Sequence, residues 1–128
     1  MYEWREHTAE VELAIDAVSE AAVFEEAAVA LGELVRMDEG EPARRIVSVT
    51  AHDRGARLVD WLEELIFLAD TQGFAASGGW VRLEDDGVHG ELEGTLGSID
   101  PLVKAATYHG LSFEELDGRW YARVVLDV

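Results

Sequence analysis

Glu10-Val11-Glu12-Leu13-Ala14-Ile15-Asp16-Ala17-Val18 alternates polar with apolar residues. Val11, Leu13, Ile15 and Ala17 fall on one side, and Glu10, Glu12, Ala14 and Asp16 fall on the other, which is the pattern of a half-buried strand. Directly behind it, Ser19 offers an N-cap, and Phe24, Ala27, Ala28, Leu31, Leu34 and Val35 recur at helical spacing up to Arg36. That spacing predicts an amphipathic helix. The hydrophobic period thus switches from two to about 3.6 within a few residues. A strand feeding a helix at once is the start of a mixed fold.

Outward from this stretch, residues 37–43 are rich in Asp, Glu, Gly and Pro and predict a loop. Residues 45–51 read as a second strand, and residues 55–71 as a second helix with Val59, Leu62, Ile66 and Ala69 on one face. Leu58, Trp61, Leu65 and Phe67 broaden that face, so the second helix is expected to be central and largely buried. Gly73, Gly78 and Gly79 interrupt the pattern before residues 80–83 and 88–92, which flank Asp85-Asp86-Gly87 as a hairpin does. Strands over residues 102–111 and 119–127, joined at Asp117-Gly118, complete the order. The sum is an α+β fold, a single domain spanning 1–128, in which two helices pack on a mostly antiparallel or mixed β-sheet.

Composition bounds the chemistry. The 128 residues are 48% hydrophobic, enough for one core. Cysteine is absent, which excludes disulfides and thiolate metal sites and leaves oxygen or imidazole as the ligands for any metal. No basic leader opens the chain and no apolar run approaches membrane-spanning length, so a soluble, cytoplasmic protein is expected. With 27 acidic residues against 10 basic ones and a net charge of -17, the chain repels a phosphate backbone. Direct binding of nucleic acid is therefore not expected. A basic protein or a cation suits such a surface.

Four short constellations carry chemistry. His7-Thr8-Ala9-Glu10 puts an imidazole, a hydroxyl and a carboxylate at the entry to the first strand. Asp60 and Glu64 lie one turn apart on the second helix, the spacing of a solvated acidic face. Lys104 is the only lysine beside nine arginines, and it stands in Lys104-Ala105-Ala106-Thr107-Tyr108-His109. On a strand, Lys104, Ala106 and Tyr108 would share a face and offer a pair of donors. Finally, Trp120, Ala122, Val124 and Leu126 alternate up to Asp127 and Val128, so the acid of Asp127 and the carboxylate of Val128 should be pinned in the sheet. Anions this close repel unless a cation stands between them, and an all-oxygen set suits Ca²⁺, Mg²⁺ or Mn²⁺.

In their order and context these four pieces resemble the archease family. Its His-Thr-Ala-Asp motif corresponds to residues 7–10, its Leu-x-Glu-Leu-type helix run to residues 62–67, its Lys-Ala-x-Thr-Tyr strand to residues 104–108, and its terminal Asp plus one aliphatic residue to Asp127 and Val128. Glu10 stands where the family usually has Asp, and its extra methylene lengthens the reach of the carboxylate. The resemblance implies an accessory protein of the RtcB-type RNA ligase, not an enzyme, which promotes ligase guanylylation and multiple turnover in tRNA splicing and RNA repair. It also implies a divalent-metal site at Glu10, Asp127 and Val128, and a required Lys104 with His7 and Tyr108 beside it. Two other classes remain open. A free-standing metal-dependent hydrolase would use His7 or His109 as a base, and an acidic chaperone-like interaction domain would need no metal.

Overall fold

The computed structural model describes residues 1–7 and 9–128, with Glu6 and His7 described through their backbones alone. Among the described residues, seven strands and two helices follow one another as β1 (Tyr2–His7), β2 (Glu10–Ala17), α1 (Glu20–Val35), β3 (Glu41–Thr50), α2 (Arg54–Gln72), β4 (Phe74–Glu84), β5 (Gly87–Leu96), β6 (Ala105–Leu116) and β7 (Arg119–Asp127). The strands form two sheets, of order β1-β2-β7-β6 and β3-β5-β4, and every pairing between them is antiparallel. The α+β class is as the sequence predicts; the division into two sheets is what the structure adds.

Local chemistry sets the helix ends. The Ser19 hydroxyl accepts the Ala22 N–H at 3.1 Å to open α1, and the Asp53 carboxylate accepts the Gly55 N–H at 2.8 Å to open α2. The helices lie between the sheets, α1 against β2, β7 and β4, and α2 against β6 and all three strands of the smaller sheet. Leu13, Ile15 and Ala17 of β2 turn inward with Ala122, Val124 and Leu126 of β7. Trp61 of α2 is fully buried, meets Phe24 of α1 edge-on at 5.8 Å, and donates its indole N–H to the Phe24 carbonyl at 3.0 Å.

The expected strand boundaries need four corrections. β1 is an additional strand, which as the edge of its sheet buries Tyr2 and Trp4 only in part and so reads in sequence as a charged terminus. β3 begins at Glu41 inside the expected loop, since Pro42 is tolerated on an edge strand. β4 passes straight through Gly78 and Gly79 by means of a bulge after Ala76. β6 begins only at Ala105, so Lys104 precedes the strand and does not share a strand face with Ala106 and Tyr108.

α1 covers the free edge of β4. Arg36 donates to the carbonyls of Ala75 and Ala76, both at 3.1 Å, and Glu25 accepts the Val81 N–H at 3.1 Å. Side chains thus satisfy edge groups that would otherwise invite another strand. The approach depends on Gly32, where an added Cβ would lie 2.1 Å from the Ala76 carbonyl oxygen. Gly32→Ala should therefore force α1 off β4 and cost about 1–3 kcal/mol, as overpacking does. An unchanged midpoint in urea denaturation would contradict this contact.

Candidate functional site

The strand register gathers residues from the two ends of the chain at one end of the four-stranded sheet. His7 pairs with Glu10, Glu10 with Asp127, and Asp127 with Ala105, forming a single row across all four strands. Directly opposed residues in antiparallel strands project to the same face, with Cβ atoms roughly 4.5–5.5 Å apart. The neighbours of Glu10 on its own face are Glu12, Ala14 and Asp16, whereas Leu13, Ile15 and Ala17 point into the core. Glu10 and Asp127 therefore stand side by side on the face turned away from the helices, Asp127 exposed and Glu10 partly so.

Backbone bonds hold this row together. The Lys104 N–H donates to the Asp127 carbonyl at 2.8 Å, which fixes the lysine beside the end of β7. The Val128 N–H donates to the Ala9 carbonyl at 3.3 Å and ties the last residue to the entry of β2. Ala9 itself adopts a left-handed φ of 62°, a conformation that costs a non-glycine residue and persists when its surroundings impose it.

One row further along, Glu12 is engaged by Arg5 at 3.5 Å and lies 3.9 Å from Arg123. No such cation meets the other two acids: among the described residues, neither Glu10 nor Asp127 has an ion-pair partner, and neither does the exposed Lys104. Two facing carboxylates suit a hard cation. They fall short of a complete set, since no group of three His, Cys, Asp or Glu side chains converges among the described residues. Further oxygen donors would have to come from backbone, from water or from another molecule.

Tyr108 and His109 lie where β6 leaves its register with β7, between Thr107 and Ser112, and both side chains are exposed. The His7 side chain and the whole of Thr8 lie outside the described residues. Glu63 of α2 was not singled out from the sequence as a site residue, yet its carboxylate accepts the Ala106 N–H at 3.0 Å. The two backbone bonds at Lys104 and Ala106 clamp the segment that carries the lysine. Nothing in the sequence marks this, because a helical acid capping a strand three elements later looks like any half-exposed glutamate. Glu63→Ala should leave a partly buried N–H unpaired and lower stability by about 1–3 kcal/mol, with faster amide exchange concentrated at residues 104–107; uniform exchange across β6 would refute the clamp.

Among the described residues the site is an open surface, with Asp127 and Lys104 exposed and Glu10 partly so. A hollow on this sheet face, about 470 Å³, is lined by Arg5, Asp16, Ser112, Glu114, Tyr121 and Arg123 among others, and neither Glu10, Asp127 nor Lys104 borders it. A small substrate at the acids would remain largely in water, unlike one in an enclosed catalytic cleft.

Fold and site together define a small two-sheet α+β protein with facing carboxylates and a lysine at an open sheet end. Residues 2–128 match the Archease protein family (MTH1598/TM1083), and the chain belongs to that family. It is similar to the protein archease of Methanothermobacter thermautotrophicus, 37% identical over 83% of this chain and 83% of the relative. The protein archease of Pyrobaculum islandicum is 31% identical over 99% and 95% of the two chains. Among solved structures, Methanobacterium thermoautotrophicum protein 1598 superposes with a TM-score of 0.71 at 30% identity, covering 99% of this chain and 98% of its own. An archease of Thermotoga maritima, described as a possible chaperone, has a TM-score of 0.68 at 23% identity over 100% and 98%, a likeness of fold alone. Among the described residues, no helix is long and apolar enough to cross a membrane.

Proposed function

We propose that this chain is an accessory protein of an RtcB-type RNA ligase, promoting guanylylation of the ligase and its multiple turnover in tRNA splicing and RNA repair, and is not itself an enzyme. The observation that carries the reading is the juxtaposition of Glu10, Lys104 and Asp127, distant in sequence, at one open sheet end. Membership of the archease family supports it.

In this reading Glu10, Asp127 and the carboxylate of Val128 hold a divalent cation, Ca²⁺, Mg²⁺ or Mn²⁺, which offsets the repulsion between the acids. Lys104, with His7 and Tyr108 near it, faces the partner. The exposure of the row favours this over a free-standing hydrolase, because an unenclosed site gives a small ester no walls to orient it. A partner surface laid over the row would supply them.

The test is ligation by a cognate RtcB-type ligase at limiting enzyme, with and without this protein, read as product per ligase and as guanylylated ligase. The protein should increase both. Unchanged turnover and guanylylation would defeat the proposal, and phosphoester hydrolysis by the protein alone would favour the hydrolase.

A further inference from the structure

Three large apolar side chains stand exposed around the segment that carries Lys104: Phe67 at 55%, Leu102 at 39% and Tyr108 at 60%. They share one edge of the molecule. Gly55 near the start of α2 faces the Leu111 side chain, and Glu63 two turns later bonds Ala106, so α2 and β6 run in opposite directions side by side. The next turn of α2 brings Phe67 level with residues 102–104, and the turn before Glu63 brings Asp60 level with Tyr108.

Asp60, Glu64 and Phe67 follow at helical spacing, with Asp70 one turn beyond, on the side of α2 turned from the core. None of these three acids has an ion-pair partner among the described residues. Several arginines are placed against acids on other elements, Arg54 on Glu20, Arg44 on Glu93, Arg119 on Asp16 and Arg5 on Glu12, and none of them reaches this ridge. The outer side of α2 is left as an acidic ridge around a protruding phenyl ring.

We infer that this ridge, with Leu102 and Tyr108 beside it, docks onto a basic face of a partner protein that offers an apolar socket for Phe67. The inference rests on the ligase reading above and names the surface through which it acts. A second copy of the chain is a poor occupant, because each copy carries a net charge of -17, and a nucleic acid is repelled for the same reason. A basic protein face is attracted by the acids and gains desolvated contact from the ring, the pairing of electrostatic steering with an aromatic anchor found at protein interfaces. Docking here would bring the partner against Lys104 and, through its bond to Asp127, against the carboxylate row.

Binding of the full chain to immobilised cognate RtcB-type ligase provides the test, with Phe67→Ser and the pair Asp60→Asn/Asp70→Asn compared with the unchanged protein at low and high salt. All variants are first matched by far-UV circular dichroism. Phe67→Ser should weaken binding about tenfold or more at both salt levels, and the asparagine pair should weaken it at low salt and flatten the salt dependence. Undiminished binding by Phe67→Ser, from a chain that still stimulates the ligase, overturns the surface and leaves the ligase reading standing. Failure of the unchanged protein to bind overturns both. Self-association abolished by Phe67→Ser, measured by sedimentation, would make the occupant a second copy and overturn the inference as well.

Discussion

Trp61→Ala is expected to lower the free energy of unfolding by about 3–5 kcal/mol, the range for a fully buried aromatic. Against a total of roughly 5–15 kcal/mol for an ordinary domain, that threatens the folded state itself. The size of the effect follows from where the ring sits. It joins both helices to the smaller sheet: its edge contact and indole N–H reach Phe24 of α1, and its far end abuts Gly90 of β5, where an added Cβ would lie 2.5 Å away. No side chain at Gly90 can move in to fill the space, so the cavity should remain open and the full penalty should be felt. Trp61→Phe keeps much of the volume and loses the hydrogen bond, and should cost about 1–3 kcal/mol. Urea denaturation followed by circular dichroism gives both numbers. A loss below about 1 kcal/mol for the alanine variant would mean that the core closes over the gap.

The sequence was most readable where local pattern and tertiary role coincide. β2 and α1 are examples: the alternation of Leu13, Ile15 and Ala17 and the cap at Ser19 are each sufficient in themselves, and burial agrees with both. The strand at the end of the chain was equally plain, because Ala122, Val124 and Leu126 face the core up to its last turn. Edge strands were harder. β1 and β3 bury one face only in part and carry Glu3, Arg5, Pro42, Arg44 and Arg45, which locally argue for a terminus and a loop. The division into two sheets was hidden for another reason, since no residue announces which strand it will pair with across a helix layer.

The candidate site shows the same divide. Glu10, Lys104 and Asp127 stood out as motif residues, yet their meeting is a matter of register, and a register one residue different would send Glu10 to the opposite face. Lys104 lies outside the strand to which alternation assigned it, and it owes its place to the bonds from its own N–H to Asp127 and from Ala106 to Glu63. Hydrophobicity groups Phe67 with Leu58, Trp61 and Leu65 on the broadened apolar face of α2, but it falls on the outward side. Composition could assign it to the core; only the helix rotation set by Trp61 and Leu62 turns it out.

On the proposed ligase reading, Lys104→Ala should abolish most of the stimulation of guanylylation, by about tenfold to a hundredfold if the ammonium makes one charge-assisted hydrogen bond in the complex. Its stability should stay within about 0.5 kcal/mol of the unchanged chain, because the side chain is exposed and has no ion-pair partner among the described residues. Lys104→Arg is the more informative variant. A guanidinium preserves charge but replaces a compact, rotatable donor by a planar fork. If the role were only to contribute positive charge to the acidic row, arginine would restore activity; if the ammonium reaches a specific acceptor on the partner, arginine should restore little. Single-turnover guanylylation at limiting ligase separates the two, and full stimulation by both variants would remove Lys104 from the function. Asp127→Asn completes the cycle. The backbone bond from Lys104 to Asp127 survives that change, so any coupling between the two variants reflects their side chains acting at one site. Losses that multiply independently would mean separate roles for the lysine and the carboxylate row, whereas a double variant no worse than either single one would mean that they work as a unit.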